Sequence, residues 1–231
     1  MFLEFDRNLN TRKITNRRTS KYVYLYEDFL CGLGVISSTG SIGTNYSDTD
    51  GHPGAISLHT STVANGGGRI GMGSGTLEQI AFGYASWVFD TCVRQPAQAS
   101  TATDRYTIQH GFTDGTTNTR ATDGVYFRYV DSENSNWLCV CSRNSTHTTV
   151  DTGIPLNTNA WESMRIEINA NATEVKFFIN NNLVGTITTN IPSLAGRTSS
   201  YNQRINKSTG TTQITTWIDY CYIAAEISVS R

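Results

Sequence analysis

The sequence predicts an all-β protein, a sandwich or barrel of antiparallel strands. Three observations carry this. Apolar and polar residues alternate with period two through most of the chain, and almost nothing repeats at the helical period. Clusters of Gly, Asn, Asp and Ser interrupt the alternation about every ten residues. The composition, with 20 Gly, 11 Tyr and only 16% charged residues in 231, suits pleated, half-buried surfaces.

The chain opens on a stretch that does not alternate. Residues 7–21, RNLNTRKITNRRTSK, hold Arg7, Arg12, Lys13, Arg17, Arg18 and Lys21 and no acid. They follow Phe2, Leu3 and Phe5, apolar side chains that a merely solvated tail has no use for. Residues 1–21 are expected to be an extended docking arm that orders on binding a neighbour. The arm takes six of the 18 basic residues, leaving 12 basic against 17 acidic ones in residues 22–231. The net charge of −1 gives no general pull toward nucleic acid or acidic membranes. The N-terminus MFLEFDRNLN lacks the apolar centre of a signal peptide, and no run reaches the about 18 apolar residues of a membrane helix.

From residue 22 onward the strands follow in order. Expected strands are 21–29, 54–62, 78–94, 104–114, 123–131, 136–144, 146–153, 160–170, 173–180, 182–190, 197–208 and 212–230. The run Asn180-Asn181-Asn182 between two of them predicts a tight hairpin, because Asn tolerates positive φ. Ala170–Ala172 makes a second short link, and Gly210 a third turn. The glycine-rich segment 63–77, VANGGGRIGMGSGTL, is expected to be a loop crossing between sheets, and 93–105 a longer loop.

Chemistry on this frame needs particular residue types in particular places. Cys31, Cys92, Cys139, Cys141 and Cys221 make an odd number without CxxC or Cys/His metal spacing, so reduced thiols packed as small hydrophobes are expected. His52, His59, His110 and His147 show no metal-binding spacing. Asp48 and Asp50, in YSDTDGHPG, offer oxygen atoms for calcium, but Asp-Gly is above all a turn dipeptide. Retaining glycoside hydrolysis needs two carboxylates on one face, about 5.5 Å apart. Glu162 and Glu167 are odd-spaced on one strand and face opposite ways. A lyase needs a neutralising Arg or Gln, a His and a proton-transferring Tyr. Gln109 and His110 are adjacent and so point apart, although Tyr201, Gln203 and Arg204 lie close together in sequence.

Several motifs in order carry a resemblance: YEDFL, GHPGAISLHTST, SWVFDTCVR, DRYTIQHGFTDG, DGVYFRYVD, NWLCVCSRN, TTVDTGIPLNTNAWESMRIEIN, VKFFINNNLVGTITTNIP and INKSTGTTQITTWIDYCYI. Together they resemble the concanavalin A-like, or laminin G-like, jelly roll over residues 22–231. The versions most similar are those of bacteriophage virion proteins such as fibres, spikes and head decorations.

The resemblance implies an antiparallel β-sandwich displayed on a virion as a non-enzymatic structural module and attached through its arm. It implies a homo-oligomer, with a trimer favoured, alongside other virion proteins and no cofactor. Assembly would take place in the host cytoplasm. Apart from the resemblance, residue type makes Trp87, Trp137, Trp161, Trp217 and Tyr201 candidates for contact with a host-surface glycan, since aromatic rings stack on sugars, although Trp and Tyr in a sandwich mostly pack in the core or on a sheet face. A lectin-like carbohydrate-binding module is the alternative reading, and a jelly-roll polysaccharide lyase a weaker one.

Asp219 is the carboxylate in the middle of the long closing strand, which carries Glu226 near its far end. Strict alternation puts it on a face with Trp217, Cys221 and Ile223, at least half buried. It is expected to be structural, accepting hydrogen bonds from backbone N–H groups or an arginine.

Overall fold

The computed structural model describes residues 21–30, 33–34, 36–43, 51–72, 80–115 and 119–227. Among these it contains sixteen strands and no helix. In chain order they are β1 (Tyr22–Glu27), β2 (Ser37–Gly40), β3 (Ile42–Gly43), β4 (Ile56–His59), β5 (Gly67–Gly71), β6 (Ile80–Ala81), β7 (Ala85–Arg94) and β8 (Tyr106–Thr113). There follow β9 (Gly124–Val130), β10 (Asn134–Arg143), β11 (Thr146–Pro155), β12 (Trp161–Ile168), β13 (Val175–Ile179), β14 (Asn182–Ile187), β15 (Thr198–Lys207) and β16 (Thr215–Ile227).

The strands form two antiparallel sheets, which bears out the expected β-sandwich. The first runs β14-β13-β12-β7-β16-β4-β3, with β1 also paired to β16. The second runs β11-β10-β9-β8-β15-β5-β2, with β6 also paired to β15. Between them lies one apolar core, in which Phe89, Val93, Met164, Ile166 and Ile218 of the first sheet join Ile108, Phe112, Phe127, Cys139 and Ile205 of the second. Burial alternates along β12, with Glu162, Met164, Ile166 and Ile168 inward, as period two requires.

Local conformations explain the turns. Asn180 and Asn181 carry φ of 51° and 64°, and Ile179 pairs with Asn182, so the expected two-residue hairpin forms. The expected strand 78–94 divides into β6 and β7 around Gly83, whose φ is 98°.

An expected loop is in part a strand. The glycine-rich segment is not simply a loop, because Gly67–Gly71 is a strand paired on both edges, to β15 and to β2. The glycines are there for close approach. A Cβ on Gly68 would lie 2.2 Å from the carbonyl oxygen of Ser41 and 2.9 Å from the backbone nitrogen of His59. The backbone of a neighbouring strand occupies the space a side chain would need.

The second sheet is also covered on its outer side. Every residue of β8 and β9 is buried, and Ala121 packs with Tyr126, Leu138 and Val140 away from the main core. Across this covered face the register aligns Arg69, Arg204, Gln109 and Arg128 in one row.

Candidate functional site on the outer face of the first sheet

The site begins with an irregularity in β16. Ile218 pairs with Val93 and Tyr220 with Cys92, so Asp219 is an extra residue with no partner across the strand pair. This is a β-bulge, which places two residues opposite one and re-aims the side chains around it. Thr216 and Ile218 are buried before the bulge, and Cys221, Ile223 and Ala225 after it. The alternation therefore changes parity at Asp219. The sequence-based grouping of Asp219 with Cys221 and Ile223 is corrected: those two point into the core, whereas Trp217 and Asp219 are only partly buried on the outer side.

Among the described residues Asp219 is bonded neither to an arginine nor to a backbone N–H. Its Oδ2 lies 2.8 Å from Nδ1 of His52. Cys92, on the neighbouring β7, completes a group whose potential ligand atoms all lie within 4.8 Å of one another. The indole of Trp161 on β12 stacks on the His52 ring, with centroids 3.9 Å apart and 22° between planes. Burial pushes the Cys92 thiol up to about 12, and the charges of Asp219, Asp90 and Glu162 add to the shift. These residues come from four separate segments, and His52 and Asp219 are 167 positions apart. Linear spacing carries no sign of them; sheet register and the bulge bring Cys92, Trp161 and Asp219 together, and His52 reaches them from the segment before β4.

One row along, the register sets Trp161, Arg94 and Trp217 side by side on β12, β7 and β16. All three are partly exposed. Trp217 and Arg94 line a cleft of about 190 Å³ with Gln95, Gln98, Asn159, Gln213 and Thr215. Gln95 is buried and donates from Nε2 to Oε2 of Glu162 at 3.0 Å. Its own Oε1 is buried with no hydrogen-bond partner. Burial raises the Glu162 carboxyl to about 6, against the opposing effect of the Gln95 bond.

The other expected contact residues separate clearly. Trp217 lines the cleft just described. Trp87 lines a second cleft of about 250 Å³ with Glu167, Asn169, Glu174 and Lys176, while its ring packs edge-on to Phe82 and Phe112. Trp137 and Tyr201 are fully buried, so the expectation that they touch glycans is corrected. Both fall on the core-facing phase of their strands, where a large aromatic fills space between sheets.

The residues weighed for lyase chemistry are divided between two faces. His110 is enclosed in the core beside Trp137, at 5.9 Å between ring centroids, and burial holds its pKa down to about 3. The Tyr201 hydroxyl accepts from Nε2 of Gln203, also inside. Arg204 lies on the opposite side, donating to the Gly115 carbonyl at 3.0 Å and to Oε1 of Gln109. Burial lowers its pKa to about 9, with Arg128 and Arg69 contributing in the same direction. Glu162 and Glu167 fall on opposite faces of β12, as their odd spacing predicts.

Of the arm, only Lys21 is described. It is exposed, and its carbonyl accepts from the Ile227 N–H at 2.7 Å. Phe2, Leu3, Phe5, Arg7, Arg12, Lys13, Arg17 and Arg18 lie outside the described residues, as do Asp48 and Asp50.

The profile of the SO2946-like C-terminal domain matches residues 51–219. The chain belongs to this family. The SO2946-like domain is similar to a solved protein of unknown function, SO2946 from Shewanella oneidensis MR-1, at 19% identity and a TM-score of 0.65, covering 91% of this chain and 89% of that one. It is also similar to a structure of botulinum neurotoxin type C, a toxin that enters cells in dependence on interaction with two ganglioside molecules. That match has 16% identity and a TM-score of 0.54, and spans 81% of this chain but 42% of the toxin chain. A native glycosidic hydrolase matches at 12% identity and a TM-score of 0.56, over 87% and 94% of the two chains. At these identities the likeness is one of fold. No curated protein matches the SO2946-like domain.

Proposed function

We propose that this SO2946-like domain is a non-catalytic display module that binds a glycan in the Trp217 cleft. The observation carrying this reading is the cleft itself, where Trp217 and Arg94 stand with the amide side chains of Gln98, Asn159 and Gln213. An indole offers an apolar face to the C–H side of a sugar ring, and amides and guanidinium match its hydroxyls. The neurotoxin of the same fold, with its two gangliosides, supports the reading by analogy only.

A glycan array with the intact chain tests it. Binding that Trp217→Ala removes, with the fold intact by circular dichroism, is the expected result. A blank array, or binding indifferent to Trp217→Ala, counts against it.

The module is further proposed to be carried on a phage particle as a fibre, spike or decoration, docked through residues 1–21 and assembled as a homo-oligomer with a trimer favoured. Support comes from the sequence: three apolar residues ahead of six basic ones. Removing residues 1–21 is expected to leave a folded domain that no longer joins particles; unimpaired incorporation would sink the docking role. Analytical ultracentrifugation of the intact chain reads the assembly state, and a monomer at all concentrations would exclude the trimer.

A further inference from the structure

We propose that His52, Cys92 and Asp219 form a transition-metal site of the zinc class, a reading that stands independently of the glycan cleft. The sequence alone points to no metal beyond weak calcium candidates, because these three residues share no linear motif. The fold brings one nitrogen, one sulfur and one oxygen donor within 4.8 Å of one another. That donor set suits Zn²⁺, a borderline-soft ion taken by imidazole, thiolate and carboxylate together.

The distances fit a tetrahedral site with little movement. Zinc bonds of about 2.0–2.3 Å hold their donor atoms roughly 3.3–3.7 Å apart. The His52–Asp219 pair at 2.8 Å must open slightly, and the remaining separations close by about 1 Å at most. All three side chains are partly exposed on the outer sheet face, so an ion reaches them without opening the core. Three protein ligands leave a fourth tetrahedral position for water or another oxygen or nitrogen donor.

Two structural devices hold the ligands. The bulge in β16 sets both Asp219 and Tyr220 opposite Cys92, turning the carboxylate toward the thiol. Trp161 stacks on the imidazole and restricts its ring orientation, the part an outer-shell group plays around a metal. On binding, the ion displaces the thiol proton to solvent and takes the place of whatever proton His52 and Asp219 share, so that thiolate, neutral imidazole and carboxylate are the ligands.

Cobalt(II) titration of the reduced, metal-free full-length chain tests the site. The expected result is a thiolate-to-cobalt charge-transfer band with the intense visible bands of tetrahedral cobalt, at one ion per chain, displaced by Zn²⁺. Cys92→Ser is expected to abolish the charge-transfer band, and His52→Gln and Asp219→Asn to weaken binding at least about tenfold. His59→Gln, away from the cluster, is expected to leave the titration unchanged. Each variant is checked for folding by circular dichroism, and zinc is expected to raise the melting temperature of the wild type but not of Cys92→Ser. Absence of a charge-transfer band in the wild type, or its persistence in Cys92→Ser, overturns the assignment.

Discussion

Trp161 lies flat against His52, with ring centroids 3.9 Å apart. The contact joins a strand to the segment preceding β4 and fixes the angle at which the imidazole meets Asp219. Trp161→Ala is expected to cost about 2 kcal/mol, the value of a half-buried aromatic pair and its covered surface. Trp161→Phe should recover most of it. Urea denaturation reads the stability, and broadening of the His52 ring resonances in Trp161→Ala alone reads the loss of orientation.

Glu162 makes stability depend on pH in a defined window. Its folded pKa of about 6 lies above the ordinary carboxylate value, so the native state holds the proton more tightly than the unfolded chain. The resulting stability is fully present below about pH 4.5 and is lost as pH rises through 6, a loss of about 2 kcal/mol. Glu162→Gln imitates the protonated form and can still accept from Gln95. The difference in unfolding free energy between Glu162→Gln and wild type is expected to be small at acid pH and to grow in favour of the variant toward neutrality. A pH-independent difference would refute the assignment.

Gly68 has no room for a methyl group. The atoms nearest the place its Cβ would take are backbone atoms of Ser41 and His59, which cannot rotate away. Gly68→Ala is expected to cost about 3 kcal/mol by forcing β5 away from its neighbours. Gly115→Ala, where nothing among the described residues lies within 4 Å, is expected to be close to neutral. Thermal melts of the two variants side by side check the contrast.

Trp137 and Trp217 are expected to respond in opposite ways. Trp137 is fully buried, and Trp137→Ala should cost about 3–5 kcal/mol in chemical denaturation. Trp217 lines an open cleft, and Trp217→Ala should cost no more than about 1 kcal/mol while removing ligand binding. A large stability loss at Trp217 would mean its ring serves the fold instead.

The sandwich was legible because its signals are local. Alternation and turn residues need only neighbours in sequence, and Asn180-Asn181 declares its hairpin by itself. β5 was hidden because its glycines read as a loop until the approach of the Ser41 and His59 backbone is seen. The site was hidden for a different reason. Cys92 and Asp219 meet through sheet register and His52 joins them from the segment before β4, while the bulge breaks the parity from which a strand's faces are read. Trp137 and Tyr201 show the converse: residue type alone proposed contact with a sugar, and strand phase buried both.

The parity change in β16 also separates what the fold requires from what the site requires. If Asp219 is deleted, Ile218 is followed directly by Tyr220, and the order inward Thr216, outward Trp217, inward Ile218, outward Tyr220, inward Cys221 becomes uninterrupted. A chain shortened by this one residue should close the same sandwich with a more regular strand. On this geometry the regular strand needs no residue at 219, and the bulge that Asp219 creates is what turns a carboxylate toward His52 and Cys92.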